Sequence, residues 1–383
     1  MNAALRFRLR KGKRTTVIKA QNIGIVGLGL IGGSVAKALK RSNAPCTIIA
    51  WDREKASLEK ALAEGKVDVA AEEDFSAFAP CDSIFLCVPV EAMEKMVKKL
   101  LPYIKASCLL TDVGSTKGAV MAAAGRLGLK DRFIGGHPLA GSEQSGYDAS
   151  KENLFENAYY CLVTEEKPSD DALNRLKALV GAMGAIPVEM SAPVHDRTVA
   201  VISHIPHVMA SLLVNLVGQL DSPEGYMKTI AAGGFKDITR IASSSSSLWS
   251  GICLSNREMV LEILDVVQES VGRFKEDLND KREEELKTFF EEARILRNTF
   301  PDKNRGLLKI YYRIVVDVDD KPGIIARAAS VLASQNINIK NIGIINSREA
   351  GEGALEIQFE DEASALGSLE ALERAGYKAK PCF

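Results

Sequence analysis

The stretch Asn22–Ser34, NIGIVGLGLIGGS, constrains the fold of this chain more than any other: an apolar run breaks into closely spaced glycines and then turns helical. It predicts strand, tight turn and helix. Gly27, Gly29 and Gly32 stand at the G-x-G-x-x-G positions. There the first glycine permits the turn, the second lets a pyrophosphate approach the backbone, and the third lets helix pack on strand. Leu30 and Ile31 follow at the helix start, whose unpaired N–H groups suit phosphate. After a turn at Asn43–Ala44–Pro45, the run CTIIAWD ends in Asp52, 20 residues beyond Gly32. That spacing places a carboxylate at the ribose hydroxyls of NAD; the competing reading is an ordinary βαβ unit with an incidental acid. Arg53, beside it, is the residue that would welcome a 2′-phosphate. The expectation is a Rossmann-type α/β domain that binds NAD.

Composition narrows the function class. With 383 residues, 46% hydrophobic and 26% charged, the chain is globular and long enough for two or three domains. A formal net charge of −1 gives no global attraction to nucleic acid or an anionic membrane, so anionic ligands must be held by local groups. The seven cysteines show no CxxC or metal-ligand spacing, and Cys46, Cys87 and Cys108 lie in apolar runs, where thiols act as small hydrophobes. That suits a reducing cytoplasm and no metal. Residues 1–20 carry seven basic residues and no acid, superficially like a transit peptide; we read them as an exposed basic extension. No run of about 18 uninterrupted apolar residues exists; the nearest, Val199–Val217, contains His204, Pro206, His207 and Asn215.

Beyond Asp52 the chain alternates helix and continuous apolar strand, the mark of a parallel sheet covered on both faces. Such sheets bind ligands at the carboxyl ends of their strands. Val88–Pro89 follows one strand and Gly114–Ser115–Thr116–Lys117 the next, where a nicotinamide and its substrate can meet. Ser115 is a candidate catalytic residue, with a helix N-cap as its bland alternative. Lys117 reads as a helix-start lysine near phosphate. The segment FIGGHPLAGSEQSG then ends a strand at His137–Pro138 and continues through Ser142 and Glu143. A histidine at a strand end beside a cofactor cleft suits acid/base work.

Tyr159–Thr164, Asp170–Met183 and Ile186–Met190 add strand, helix and strand to the same sheet. From Ser191 to Phe300 the pattern is helical, and its first helix, apolar on more than one face, predicts burial in a bundle or a dimer core. His204 and His207 share a face of it, but no third ligand stands nearby for a metal. The serines at Ser243–Ser247 space two helices and cap the second. From Leu307 to Phe383 the elements spell βαββαβ, a ferredoxin-like module with no catalytic set.

Taken together, GLGLIGGS, DVGSTKG, HPLAGSEQSG, HDRTVAVISHIPH and FKDITRIA resemble, in order and spacing, the prephenate/arogenate dehydrogenase family of tyrosine biosynthesis with a C-terminal ACT domain. The resemblance implies an NAD-dependent oxidative decarboxylation of prephenate in which His137 hydrogen-bonds the substrate's ring hydroxyl and Ser115 assists. It implies further that Arg240 with His207 anchors a substrate carboxylate, and that Ser142, Glu143 and Asp237 form the polar surround, with Trp249 as a wall. Where the family often has Ser-Asp-Pro ahead of the Trp, this chain has serines only, which alters the local loop. The implied organisation is a basic extension (1–20), a Rossmann domain (21–190), a helical substrate and dimerisation domain (191–300) and an ACT-like regulatory domain (307–383), with tyrosine as effector and a homodimer as the assembly. Arogenate dehydrogenase is the sister reading, and a non-catalytic amino-acid sensor is the reading from another class. A β-hydroxy-acid reductase with Lys117 as base is more remote.

Overall fold

In the computed structural model, residues 21–142, 144–164, 169–300, 312–319, 321–345 and 352–382 are described. The basic extension, Glu143 and Asp320 lie outside them. The chain divides into two compact units, one through Lys287 and one over Thr288–Phe383.

The first unit opens with β1 (Gln21–Val26), α1 (Leu30–Arg41), β2 (Cys46–Trp51), α2 (Lys55–Ala63), β3 (Val69–Ala70), β4 (Ser83–Leu86), α3 (Val90–Leu100), β5 (Leu109–Asp112), α4 (Gly118–Arg126) and β6 (Phe133–Pro138). It continues through β7 (Tyr159–Val163), α5 (Asp170–Ala182) and β8 (Ile186–Met190). The eight strands form one sheet in the order β3-β2-β1-β4-β5-β6-β7-β8. Ile23, Ile25, Ile48, Phe85 and Leu110 are fully buried, because helices cover both faces; hence the unbroken apolar strands.

One expectation needs correcting. The pairing is parallel from β3 to β6, but β6 and β7 are antiparallel, with His137 opposite Cys161. Between them the described residues make only a loop and a short turn at Tyr147–Ala149, and without a helical crossover a strand must return in the opposite direction.

The helical part comprises α6 (Ala192–Val199), α7 (Ile205–Leu220), α8 (Tyr226–Ile230), α9 (Gly233–Thr239), α10 (Ser246–Ser255) and α11 (Arg257–Asn279), and α12 (Glu283–Thr299) runs across the unit boundary. The first helix is not continuous as expected: Ala200–His204 form a π-turn between α6 and α7. Pro206, in the first turn of α7, has no N–H to donate to the preceding turn, and a wider turn absorbs the missing bond. The span Ala192–Leu220 has the length and hydropathy (1.6) of a membrane-crossing helix, but its three histidines are engaged in the protein's own polar site. Leu212, Leu216 and Leu220 are exposed.

The second unit holds β9 (Tyr312–Asp319), α13 (Ile324–Ser334), β10 (Asn341–Ile345), β11 (Glu352–Phe359), α14 (Glu362–Arg374) and β12 (Lys378–Cys382), with an antiparallel sheet in the order β10-β11-β9-β12. Its own core gathers Ile314, Val316, Leu355, Ile357, Ala328 and Leu372. Gly323 precedes α13 at φ +86°, a left-handed cap that glycine adopts without strain.

Candidate active site

The glycine loop is shaped for a dinucleotide. Gly27 sits at φ +99°, and a Cβ there would lie 2.4 Å from the Cys87 carbonyl oxygen; at Gly32 it would lie 1.9 Å from the Gly27 oxygen. Both positions therefore exclude any side chain. Around Gly29 nothing lies within 4 Å of a Cβ position, which leaves an open approach to the backbone at the start of α1, where Leu30 and Ile31 follow. Asp52 directly follows β2 and binds the same loop: its carboxylate accepts from Leu28 N at 2.5 Å and from Glu54 N at 2.7 Å. Arg53 is exposed beside it. Val88 touches the Gly27 position from the end of β4, and Pro89 caps α3. These residues fit NAD: the open loop would hold phosphate and Asp52 a ribose.

At that end of the sheet lies a cavity of about 430 Å³, lined by Ser115, His137, Ser142, His204, Trp249 and the serines of the α10 approach, Ser244 and Ser245. All four histidines of the chain gather here. His137 Nδ1 is 2.8 Å from His195 Nε2, and His195 Nδ1 is 2.7 Å from Asp196 Oδ1. Asp196 also caps α4, accepting from Lys117 N at 2.8 Å and Gly118 N at 2.7 Å, so a helix N-terminus stabilises its charge. Burial alone would raise the Asp196 carboxyl, but the His195 and backbone hydrogen bonds outweigh it and hold the group below its ordinary value.

A carboxylate only accepts, so His195 presents its proton at Nδ1, and in the neutral ring Nε2 is then a lone pair. His137 then donates from Nδ1, and its Nε2 is left as an acceptor in the cavity. Burial, and next the Lys117 charge, push the His137 pKa well below the usual histidine value. The imidazole is neutral.

Lys117 departs from expectation. Far from reaching phosphate, its ammonium is fully buried and pairs with Asp112, which is 4% exposed. Asp112 in turn accepts from Gly114 N at 2.8 Å and Gly136 N at 3.0 Å. The lysine runs under the end of β6: a Cβ on Gly135 would lie 3.0 Å from Lys117 Cδ, while one on Gly136 would lie 2.4 Å from the Asp112 backbone carbonyl oxygen. Gly135 therefore makes room for the lysine of the ion pair beside the Ser115 loop, and Gly136 lets β6 approach the β5 backbone closely. Lys117, not Ser115, occupies the N-cap position of α4, which leaves Ser115 to line the cavity.

His207 stacks on Trp249 with ring centroids 3.4 Å apart, while Trp249 meets His204 edge-on at 6.1 Å. Ser245 caps α10 through Leu248 N, as the serine run predicts. Asp237 lies exposed on α9, and Arg240 lies exposed in the turn Arg240–Ser243 that packs against α7; neither lines the cavity, although Ser244 follows directly. Sequence reasoning missed His195, Asp196, His204 and Asn256. The adjacent His-Asp at a helix start, in a chain with four histidines, was the available signal.

Three family models match in the order of these elements: "Prephenate dehydrogenase, nucleotide-binding domain" over residues 35–189, "Prephenate dehydrogenase, dimerization domain" over 191–292, and "ACT domain" over 312–376. A prephenate dehydrogenase of Bacillus subtilis is 37% identical over 357 residues, 92% of this chain and 96% of that protein. Among solved structures, a prephenate dehydrogenase from A. aeolicus in complex with hydroxyphenyl propionate and NAD+ matches at TM-score 0.68 and 34% identity, over 73% of this chain and 98% of that one. The Synechocystis arogenate dehydrogenase matches at TM-score 0.67 and 29% identity, over 73% and 100%. On this ground the chain belongs to the prephenate dehydrogenase family, as an NAD-dependent enzyme that carries a C-terminal ACT domain.

Proposed function

We propose that the cavity between Ser115, His137 and Trp249 oxidises and decarboxylates prephenate with His137 as the general base. The observation that carries this reading is the fixed series Asp196, His195, His137, which ends in a bare Nε2 inside the cavity. When bound, NAD supplies a hydride acceptor for the ring carbon that bears the hydroxyl. His137 takes the hydroxyl proton as the C–H bond breaks and the carbonyl forms, and Ser115 orients that oxygen. The C–C bond to the ring carboxylate then breaks, its electron pair enters the ring, and carbon dioxide leaves. The proton returns from His137 to the phenolate oxygen. The products are 4-hydroxyphenylpyruvate, carbon dioxide and NADH.

Arg240 suits a carboxylate clamp because its planar fork pairs both oxygens, and His207, held by its stacking on Trp249, would face the same end. Asp237 and Ser142 belong to the polar rim, with Glu143 assigned there by resemblance alone. The cofactor end rests on Gly27, Gly29, Leu30, Ile31, Gly32, Val88 and Pro89, with Asp52 rather than Arg53 as the discriminating group. Asp52→Ala is expected to lower kcat/KM with NAD by about 10–100-fold, the worth of a hydrogen bond to a charged group, and to narrow the preference over NADP. Equal efficiency of the unaltered chain with both cofactors would contradict this.

We divide the chain as a basic extension (1–20), a dinucleotide domain (21–190), a helical domain (191–300) and an ACT domain (307–383), acting as a cytoplasmic homodimer; its six described thiols are free. The exposed Leu212, Leu216 and Leu220 of α7 supply the apolar surface for a second copy. Tyrosine is the effector we assign to the ACT domain, with the turn at Asp320–Gly323, of which Asp320 lies outside the described residues, as its contact. It must then bind one conformation of the dimer better than another. Tyrosine is expected to inhibit the full chain at least severalfold, and a chain ended at Gly306 is expected to lose that inhibition while keeping basal turnover. A truncated chain equally sensitive to tyrosine would place inhibition in the active site. Initial rates of NADH formation with prephenate and with arogenate test the substrate assignment: prephenate is expected to be preferred, and a preference for arogenate would reverse it.

A further inference from the structure

His204 is the one cavity-lining histidine to which neither the sequence nor the mechanism gives a task. Its surroundings define what it offers. Asn256, at the junction of α10 and α11, donates from Nδ2 to the Asp196 carbonyl oxygen at 2.8 Å, and the same nitrogen is 3.2 Å from His204 Nδ1. A carbonyl only accepts, so the bond to Asp196 fixes which end of the Asn256 amide is the NH₂ group. Its second N–H then donates to His204, whose Nδ1 must be bare. The ring proton is left at Nε2. Burial pushes the His204 pKa down to about 4, so the ring is neutral and carries one proton only.

From these bonds we infer that Asp196 sets two cavity histidines in opposite tautomers: through its carboxylate and His195 it makes His137 Nε2 an acceptor, and through its carbonyl and Asn256 it makes His204 Nε2 a donor, which binds the ring carboxylate of the substrate. The inference rests on the substrate reading given above. His204 and Trp249 line the cavity together with His137, and Trp249 stacks on His207; with the substrate hydroxyl at His137, its ring carboxylate is assigned to this side. A neutral donor is matched to a group that must leave as carbon dioxide. It orients the carboxylate while opposing the loss of its charge less than a full cation would, since a hydrogen bond to a neutral partner is the weaker one. The π-turn at Ala200–His204 brings Ser203 as well as His204 to the cavity wall, as such turns do at functional sites.

Two measurements test this. Heteronuclear NMR of the ring nitrogens in the full chain, simple with four histidines, distinguishes bare from protonated positions. Near neutral pH we expect His137 bare at Nε2 and His204 bare at Nδ1; a cationic His195, a proton on His204 Nδ1, or both rings in one tautomer would overturn the inference. Steady-state kinetics supply the second arm. Glutamine keeps a donor near the Nε2 position and leucine does not. His204→Gln is expected to keep KM for prephenate within about threefold, whereas His204→Leu raises it about 10–100-fold, the worth of one hydrogen bond to a carboxylate. The dissociation constant for NAD should be unchanged in both. Equal losses in the two variants would mean that His204 only fills space. A chain that does not turn over prephenate would sink the substrate reading, while the ring-nitrogen test of the paired tautomers would still stand or fall by itself.

Discussion

Replacement of His137 by asparagine is expected to lower kcat by about 10²–10⁴-fold, the usual contribution of a general base, with little change in NAD affinity. Asparagine is the informative choice because its amide N–H can stand in for Nδ1–H and still donate to His195, so the bonds that run to Asp196 and cap α4 persist. Only the acceptor at Nε2 is removed. The same base sets the pH response. Burial holds His137 below the ordinary histidine value of 6.5, so kcat/KM should stay level through neutral pH and fall only on the acid side of that value. The sign for stability is the same. Below 6.5 the unfolded chain binds a proton at this position that the folded chain refuses, so acid favours unfolding. An acid limb centred above 6.5 would be at odds with a buried neutral base.

Lys117→Met should produce the largest loss of stability. The ammonium is fully buried and its partner Asp112 nearly so, and deleting one member of such a pair leaves an uncompensated buried charge that costs about 3–5 kcal/mol. For a domain of this size that corresponds to a fall in melting temperature of roughly 6–20 °C, visible in the transition of the dinucleotide-binding part. Adding Asp112→Asn, which removes the stranded charge yet keeps an acceptor for Gly136 N or Gly114 N, should recover more than half of the loss. A single variant as stable as the parent would show that the pair contributes nothing, and that Gly135 is small for another reason.

These two residues also show what could be read in the sequence. Gly27, Gly32 and Asp52 were legible because their roles are local: a turn, a close helix-to-strand approach and a strand-end acid recur at fixed spacing. His137 and Ser115 were legible as strand-end residues of an α/β sheet. The β6 to β7 reversal was not, because alternation of helix and strand gives the order of elements and not the direction of an edge strand whose connection lacks a helix. Lys117 was misread because a lysine after a glycine turn looks alike whether it points to phosphate or into the core. What decides it is Asp112 five residues earlier and the room left by Gly135. His195, Asp196, His204 and Asn256 were missed for a different reason. Their bonds join residues 52 to 79 positions apart, and no periodicity reports such pairs. The π-turn was equally hidden, although Pro206 marked where the helical bonding had to change.

The most direct test of the account is the stoichiometry of a single turnover with prephenate and NAD. The full chain should release NADH and carbon dioxide in equal amounts, with 4-hydroxyphenylpyruvate as the organic product, and the His137→Asn variant should release neither at a comparable rate. Carbon dioxide without NADH, or NADH without carbon dioxide, would contradict a site in which His137 couples hydride loss to decarboxylation.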